Sequence, residues 1–288
     1  MSMILEVKDL TKTYPGSDFY LNNISFSIPS GSIMGFVGEN GAGKTTTIGC
    51  ILNTLLKDSG SVKIFGKEMT DESTDIRDEI GVVYDTNCFP DHLTPAKISA
   101  SMRHIFTNWD NALFKEYLLK FKLPEKKRIG TFSRGMTMKL GVATALSHRP
   151  KLLILDEATS GLDPIVRDDI LDVFLDFVQD ENNSILLSSH ITSDLEKVAD
   201  YITFIHDGNI IFSEKKDVLK YNYGVMRLKT SQLAEIHKQD MLAYRKHDYQ
   251  VDVLVADKQA TAVKYQDVVL DSASIEEIML LLVKGEKQ

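Results

Sequence analysis

The glycine-rich segment of residues 38–45 constrains the fold of this chain more than any other feature. Its sequence, Gly-Glu-Asn-Gly-Ala-Gly-Lys-Thr, fits the pattern G-x-x-x-x-G-K-[ST]. The apolar residues 33–37 before it predict a strand, and residues 45–56 after it predict a helix. Between a strand and a helix, the backbone N–H groups of such a loop surround phosphates, with the positive end of the helix dipole beside them. The segment therefore predicts a site for a nucleoside triphosphate, and ATP is the expected ligand.

Each residue type in this loop has an expected task. Lys44 reaches the β- and γ-phosphates, and the hydroxyl of Thr45 binds Mg²⁺. The residues expected to contact the nucleotide from this loop are Gly38, Asn40, Gly41, Gly43, Lys44, Thr45 and Thr46. The alternative is a glycine-rich turn that happens to precede Lys-Thr, and the flanking strand and helix disfavour it.

A second chemical element lies in residues 152–157, where an apolar strand ends in two carboxylates. Ligands of α/β folds collect at the carboxyl ends of strands, which places Asp156 and Glu157 at the mouth of the sheet. We expect Asp156 to hold Mg²⁺ directly or through water, and Glu157 to polarise the attacking water. A buried strand followed by a solvated acidic turn is the alternative, and the phosphate loop makes it the weaker one.

Composition limits the class of protein. The 288 residues are 43% hydrophobic and 26% charged, as in a globular protein with a real core, and their number suggests one large and one small domain. A net charge of -8 argues against nucleic acid as a partner. The two cysteines, Cys50 and Cys88, suggest a reducing cytosol. The first residues do not resemble a signal peptide, and no apolar run approaches the roughly 20 residues that span a bilayer.

The patterns along the chain predict an α/β fold. Alternating residues near the N-terminus predict an antiparallel β layer, and later strands alternate with helices as in a parallel sheet. Apolar residues at helical spacing predict a helical subdomain over about residues 91–147. The pattern resets after residue 220, so we expect a main domain over residues 1–220 and a small accessory α+β domain over residues 221–288.

Three further segments complete a recognisable order of motifs. Residues 132–136 (Phe-Ser-Arg-Gly-Met) precede the Asp-Glu strand, residues 158–164 (Ala-Thr-Ser-Gly-Leu-Asp-Pro) follow it, and His190 ends the next strand. Over about residues 4–215 this order resembles the nucleotide-binding subunit of ABC transporters, a family of P-loop NTPases. The chain looks most like subunits of ABC-2 type exporters of Gram-positive bacteria, including bacitracin, lantibiotic-immunity and phenol-soluble-modulin exporter types.

The resemblance implies further roles. Tyr14 matches the aromatic residue that stacks on adenine, and His190 matches the histidine that contacts the γ-phosphate. Ser133 and Gly135 match the signature motif, which completes the ATP site of the opposite subunit, and Asp163 matches the loop between the two sites. Two subunits would thus enclose two ATP molecules head to tail. Lys44, Glu157 and His190 are the expected catalytic residues.

Two departures from the family pattern stand out. Arg134 replaces the first glycine of the signature and Met136 replaces its glutamine. We expect Arg134 to place a cation beside the triphosphate or beside acidic residues of the closed dimer; a solvent-facing arginine is the alternative. Asp85 stands where the family has a glutamine that senses Mg²⁺ and links the site to the membrane partner, and we expect it to lie near the metal.

The sequence therefore predicts an ATP-hydrolysing subunit at the inner face of the cell membrane, cytoplasmic and peripheral, that drives a separate transmembrane permease, with export as the expected direction. The partners are that permease and a second nucleotide-binding subunit, identical or different. A soluble ABC-type ATPase acting on ribosomes or DNA is the main alternative, but such proteins carry two ATP domains or a long inserted coiled coil. A P-loop kinase or GTPase fits less well. The signature segment and His190 argue against a kinase, and the sequence lacks the Asn-Lys-x-Asp motif that reads guanine in GTPases.

Overall fold

A computed structural model of the chain describes residues 2–86 and 88–286. The strands are β1 (Met3–Thr13), β2 (Tyr20–Pro29), β3 (Ile33–Val37), β4 (Ser59–Ile64), β5 (Lys67–Glu68), β6 (Ile80–Tyr84), β7 (Leu152–Asp156), β8 (Ser184–Ser189), β9 (Tyr201–His206), β10 (Asn209–Lys215), β11 (Gly224–Leu228), β12 (Ala243–Lys246), β13 (Val251–Val255) and β14 (Val269–Ser272). The α-helices are α1 (Lys44–Ile51), α2 (Thr74–Asp78), α3 (Pro95–Met102), α4 (Asn111–Lys120), α5 (Arg134–Leu146), α6 (Pro164–Phe177), α7 (Thr192–Val198), α8 (Lys216–Asn222), α9 (Lys258–Lys264) and α10 (Ile275–Lys284).

The central sheet has six strands in the order β10-β9-β3-β8-β7-β6. Strands β9, β3, β8, β7 and β6 run parallel, and the antiparallel edge strand β10 is joined to β9 by a hairpin at Asp207 and Gly208. Strands β3 and β7 are buried along their whole length, which explains their continuous apolar sequences. The parallel strands therefore end at one edge of the sheet, where the loops that follow β3, β6, β7 and β8 meet.

The predicted antiparallel layer is confirmed as a separate sheet in the order β2-β1-β4-β5. Its inward side chains, such as Leu5, Ile24 and Val62, share one apolar cluster with Phe36 of β3 and Ile48 of α1. This layer thus packs on the same face of the central sheet as α1.

The helical segment predicted between β6 and β7 contains α3, α4 and α5. Thr94, Asp110 and Ser133 cap the N-termini of these three helices with their side chains. The helix after the phosphate loop is shorter than the predicted residues 45–56 and ends at Ile51. It stops there because Asn53 takes a left-handed conformation (φ 55°) and the next two N–H groups, those of Thr54 and Leu55, both donate to the carbonyl of Gly49.

The C-terminal part forms a third sheet in the order β12-β13-β11-β14, with α9 and α10 beside it. Ser274 and Glu277 form a capping box that starts α10. The buried side chains of Val225, Ile278 and Leu281 belong to the same apolar cluster as those of α6 and α7. A third sheet therefore exists, as the predicted α+β extension requires, and the domain boundary after residue 220 stays a prediction.

Within residues 2–86 and 88–286, none of the helices combines the length and the apolar character needed to cross a bilayer.

Candidate functional site

The loop between β3 and α1 is shaped by its glycines and closed by a lysine. Gly43 caps α1 with φ 113°, a conformation that L side chains rarely adopt. A Cβ on Gly38 would lie 2.5 Å from the carbonyl oxygen of Ile205, so the loop passes too close to β9 for any side chain. The buried Lys44 folds back over the loop, and its Nζ donates to the carbonyls of Gly38 (2.7 Å) and Glu39 (3.1 Å). The ammonium group is thereby fixed inside the loop, and its contact with the phosphates stays a prediction.

Asp156, the last residue of β7, accepts hydrogen bonds from two hydroxyl groups. The Oγ1 of Thr45 donates to its Oδ2 at 2.8 Å, and the Oγ of Ser188 donates to its Oδ1 at 2.6 Å. Asp156 and Ser188 lie opposite each other on the parallel strands β7 and β8. The structure thus places Thr45 and Asp156 in direct contact.

Glu157 lies between the lysine of the loop and His190. It adopts a left-handed conformation (φ 54°), and its N–H lies 3.1 Å from the Oγ and 3.2 Å from the carbonyl of Ser188. Its Oε1 is 3.0 Å from the Nζ of Lys44, and its Oε2 is 2.7 Å from the Nδ1 of His190. A non-glycine residue in a left-handed conformation, such as Glu157, is strained, and such residues cluster at functional sites. The arrangement fixes one carboxylate beside a buried cation and an imidazole.

Ser188 and Phe19 belong to this region and are missing from the prediction based on sequence. Ser188 could be found only from the register of β7 and β8, because a serine in an apolar strand carries no motif. Phe19 lies against the loop, where a Cβ on Gly43 would be 3.1 Å from its ring. Tyr14, predicted to contact adenine, is half-buried, and its ring centroid is 6.4 Å from that of Phe19. Tyr14 is therefore connected to the loop through Phe19.

The remaining loop residues lie as follows. Asn40 and Gly41 are exposed and Thr46 is half-buried on the first turn of α1. Gly41 has φ 85°, so the loop also turns through a left-handed residue there.

Ser133, Gly135 and Asp163 form a second group at the N-termini of α5 and α6. The Oγ of Ser133 accepts a hydrogen bond from the N–H of Met136, and Asp163 accepts from the first N–H groups of α6. A Cβ on Gly135 would lie 3.2 Å from Val166 of α6. Within the described part of the chain, no hydrogen bond or ion pair joins this group to Lys44, Asp156 or Glu157. The predicted site residues thus fall into two groups.

Asp85 and Arg134, two of the three residues that depart from the family pattern, contact each other. Asp85 follows β6 directly, and its Oδ1 accepts a hydrogen bond from the guanidinium of Arg134, the first residue of α5. Tyr84, the residue before Asp85, lies opposite Asp156 on the neighbouring strand. Arg134 therefore pairs with an acidic residue of its own chain. The role of Asp85 as a metal ligand stays a prediction.

The parallel sheet, the phosphate loop at its carboxyl edge and the adjoining Asp-Glu pair define a P-loop nucleoside triphosphatase. The family model described as ABC transporter matches residues 21–160. The bacitracin transport ATP-binding protein BcrA of Bacillus licheniformis is 36% identical over 222 residues, covering 76% of this chain and 72% of the relative. A putative ABC transporter ATP-binding protein of Mycoplasma pneumoniae is 33% identical over 270 residues, covering 87% of this chain and 80% of the relative.

A solved structure of an ATP binding subunit of an ABC transporter superposes with a TM-score of 0.66 at 26% identity, over 75% of this chain and 92% of that one. This chain belongs to the ATP-binding subunits of ABC transporters. It is an ATPase, and its predicted fold class is confirmed.

Proposed function

We propose that this chain uses ATP hydrolysis to drive a separate transmembrane permease that exports peptides or drugs, working at the cytoplasmic face of the cell membrane. The cluster of Lys44, Glu157 and His190 beside Thr45 and Asp156 is the observation that carries the proposal, because it provides the groups for hydrolysis in one place. The bacitracin transport protein among its relatives supports export of a peptide.

In the proposed reaction, Lys44 binds the β- and γ-phosphates, and Glu157 orients or deprotonates the water that attacks the γ-phosphate in line. His190, which lies against the other carboxylate oxygen of Glu157, contacts the γ-phosphate in this proposal. Catalysis of phosphoryl transfer rests on positioning and on charge stabilisation, which fixed groups provide without reorganisation. Since Lys44 lies 3.0 Å from Glu157, phosphate binding to Lys44 competes with this ion pair and leaves Glu157 for water.

Mg²⁺ fits the oxygen groups of Thr45 and Asp156. One carboxylate and one hydroxyl in contact suit an ion that binds through few protein oxygens and the phosphates of its substrate. When bound, Mg²⁺ neutralises charge on the β- and γ-phosphates. Asp85 lies one residue beyond the strand position opposite Asp156, but its carboxylate is paired with Arg134, so its predicted role as a metal ligand is the alternative to that pairing.

The second group of residues, Ser133, Gly135 and Asp163, would act on the nucleotide of a second subunit. Its separation from the Lys44 cluster supports this division. Ser133 and the N–H of Gly135 lie at the start of α5, where the helix dipole favours an anion such as a phosphate. Each complete site would then need two chains, identical or different.

A groove between the helical segment and the central sheet offers a surface for the permease. Its cavity of about 790 Å³ is lined mainly by apolar atoms, including those of Val83, Met102 and Phe132, and it reaches Asp85 and Arg134. The nearby Ile105 is 63% exposed. A contiguous apolar surface of this kind suits an amphipathic segment of another protein.

The variant Glu157→Gln tests the catalytic assignment. We expect it to bind ATP at least as tightly as the parent chain, because Lys44 loses a competing carboxylate, and to hydrolyse ATP very slowly, because the base is gone. Nucleotide binding by calorimetry and phosphate release measure the two effects. Near-normal turnover would remove Glu157 from the role of base.

Glu181→Gln is the matched control, because Glu181 is exposed in the loop before β8 and the chemical change is the same. Its turnover should equal that of the parent chain.

Co-purification of the tagged chain with a membrane protein from the source cells tests the permease proposal. Recovery of ribosomes or DNA in its place would favour the other class of ABC ATPase.

A further inference from the structure

Three chain segments meet at the guanidinium of Arg134. Arg134 is the first residue of α5, and it donates a hydrogen bond to Asp85 at the end of β6. It also lies against Gly161 in the loop between β7 and α6, where a Cβ would be 2.8 Å from its Nη1 and 2.9 Å from its Cζ. Gly161 has φ 65° and leaves the space that the guanidinium fills. The contact is thus formed by an acid at 85, an arginine at 134 and a position without a side chain at 161.

The position of Arg134 makes an unpaired charge unfavourable there. A cation in the first turn of a helix opposes the helix dipole, which favours anions at that end. Asp85 supplies the missing negative charge, and a hydrogen bond between two ions is stronger than one between neutral groups. The two side chains are therefore matched to each other in charge and place.

We propose that Asp85 and Arg134 are positioning residues that form an ionic latch, holding the start of α5 against the end of β6. The departures from the family pattern at Asp85 and Arg134 would then be one compensated change. The latch sets the direction in which Ser133 and Gly135 face the nucleotide of the second subunit, so this inference rests on the proposed function. It also lies on the wall of the groove proposed for the permease, and connects that groove with the start of α5.

This proposal differs from a metal role for Asp85 in what it requires of Arg134. A carboxylate that binds Mg²⁺ acts independently of Arg134, whereas a latch needs both charges and accepts them in either order. The side chains are 51% and 43% exposed for Arg134 and Asp85, so salt should also weaken the latch by screening.

The experiment uses the full chain and five variants: Asp85→Asn, Arg134→Gln, both together, the charge swap Asp85→Arg with Arg134→Asp, and Lys139→Gln as control. Lys139 lies on α5 like Arg134 but beyond the first turn of that helix, and it pairs with Asp169 of α6. Urea unfolding without nucleotide reports on the pair itself. The KM for ATP, kcat, and the Mg²⁺ concentration for half activation report on the proposed effect of the pair on the ATP site.

We expect each single variant at 85 and 134 to raise the KM for ATP about two- to fivefold, as an exposed ion pair allows. The double variant should be no worse than either single one, the charge swap should recover most of the loss, and Lys139→Gln should keep the parent KM. The KM of the single variants should also depend less on salt than that of the parent chain.

Three results would overturn the latch. These are additive effects of the two single variants on unfolding, coupling in unfolding without any change in KM, or a shift in Mg²⁺ activation by Asp85→Asn that Arg134→Gln does not share. Absence of ATP hydrolysis by the parent chain would instead contradict the proposed function, and the unfolding series would still decide whether the pair exists.

Discussion

Ser188 connects the two carboxylates of the site at the scale of single residues. Its Oγ donates to Asp156 at 2.6 Å and lies 3.1 Å from the N–H of Glu157. One hydroxyl therefore orients the side chain of Asp156 and the strained backbone of Glu157. Fixing both groups before the nucleotide arrives reduces the reorganisation needed in the transition state.

We expect Ser188→Ala to lower kcat about tenfold or more and to raise the Mg²⁺ concentration for half activation. A hydrogen bond to a charged group is worth about 1.5–3 kcal/mol, and about 1.4 kcal/mol corresponds to a factor of ten in rate. Phosphate release at varied Mg²⁺ concentration measures both quantities. Both effects are expected because Asp156 loses one of its two hydrogen-bond donors.

Ser184→Ala is the control for this variant. Ser184 is equally buried at the other end of β8, where its Oγ donates to the carbonyl of Pro29 and accepts from the N–H of Gly31. It should lose stability but keep the Mg²⁺ dependence of the parent chain. Equal shifts in Mg²⁺ activation for both variants would show that Ser188 has no special relation to the site.

The sequence was sufficient to assign five residues to one site, because each belongs to a motif at a strand end. These residues are Lys44, Thr45, Asp156, Glu157 and His190. It was insufficient for Ser188 and Phe19, whose contribution depends on strand register and on packing between two sheets. The Asp85–Arg134 pair was out of reach for the same reason, since the two positions are 49 residues apart and the helices between them bring them into contact.

At the scale of secondary structure elements, His148 joins the helical segment to the central sheet. It follows α5 and is buried, its Nε2 lies 3.1 Å from the carbonyl of Ile80 in β6, and its ring stacks on Phe106 at 3.9 Å between centroids. Burial lowers the pKa of His148 below its ordinary value. The folded chain therefore keeps this imidazole neutral.

This burial predicts a dependence of stability on pH. Between the lowered pKa and the ordinary value of about 6.5, the unfolded chain binds more protons at this position than the folded chain, so its contribution to stability is lost as the pH falls. The loss is limited to about 1.4 kcal/mol per pH unit. Urea unfolding of the parent chain and of His148→Gln at pH 7.5 and 5.5 measures it.

We expect the free energy of unfolding of His148→Gln to change less between these pH values than that of the parent chain. His104→Gln removes an exposed imidazole from the same region and should retain the parent's dependence. If His148→Gln and the parent chain lose the same stability on acidification, His148 is not the cause.

At the scale of the whole molecule, the C-terminal sheet is not packed as an isolated body. Ile275, Ile278 and Leu281 of α10 share an apolar cluster with Leu195 and Phe204 of the ATP-binding part. The N–H of Ile275 also donates to Glu196 of α7, the helix that begins two residues after His190. Contacts of this extent suggest that the two parts unfold together, although composition and patterning change near residue 220.

Ile278→Ala tests this cooperation. Ile278 is fully buried, so its truncation should lower the free energy of unfolding by about 2–5 kcal/mol. The only tryptophan of the sequence, Trp109, lies in the helical segment and reports on the ATP-binding part, whereas circular dichroism reports on all helices and strands. Because a cooperative unit unfolds in one transition, both signals should shift to the same lower urea concentration.

Leu280→Ala provides the control on the same helix, because the side chain of Leu280 is 36% exposed and its truncation should cost less than about 1 kcal/mol. An independent C-terminal domain would give another result for Ile278→Ala. Circular dichroism would then show an early partial transition, while the fluorescence of Trp109 would keep the midpoint of the parent chain. Coincident shifts of both signals would mean that α10 stabilises the sheet carrying Asp156 and Ser188, and that the accessory part contributes to the ATP site through the common core.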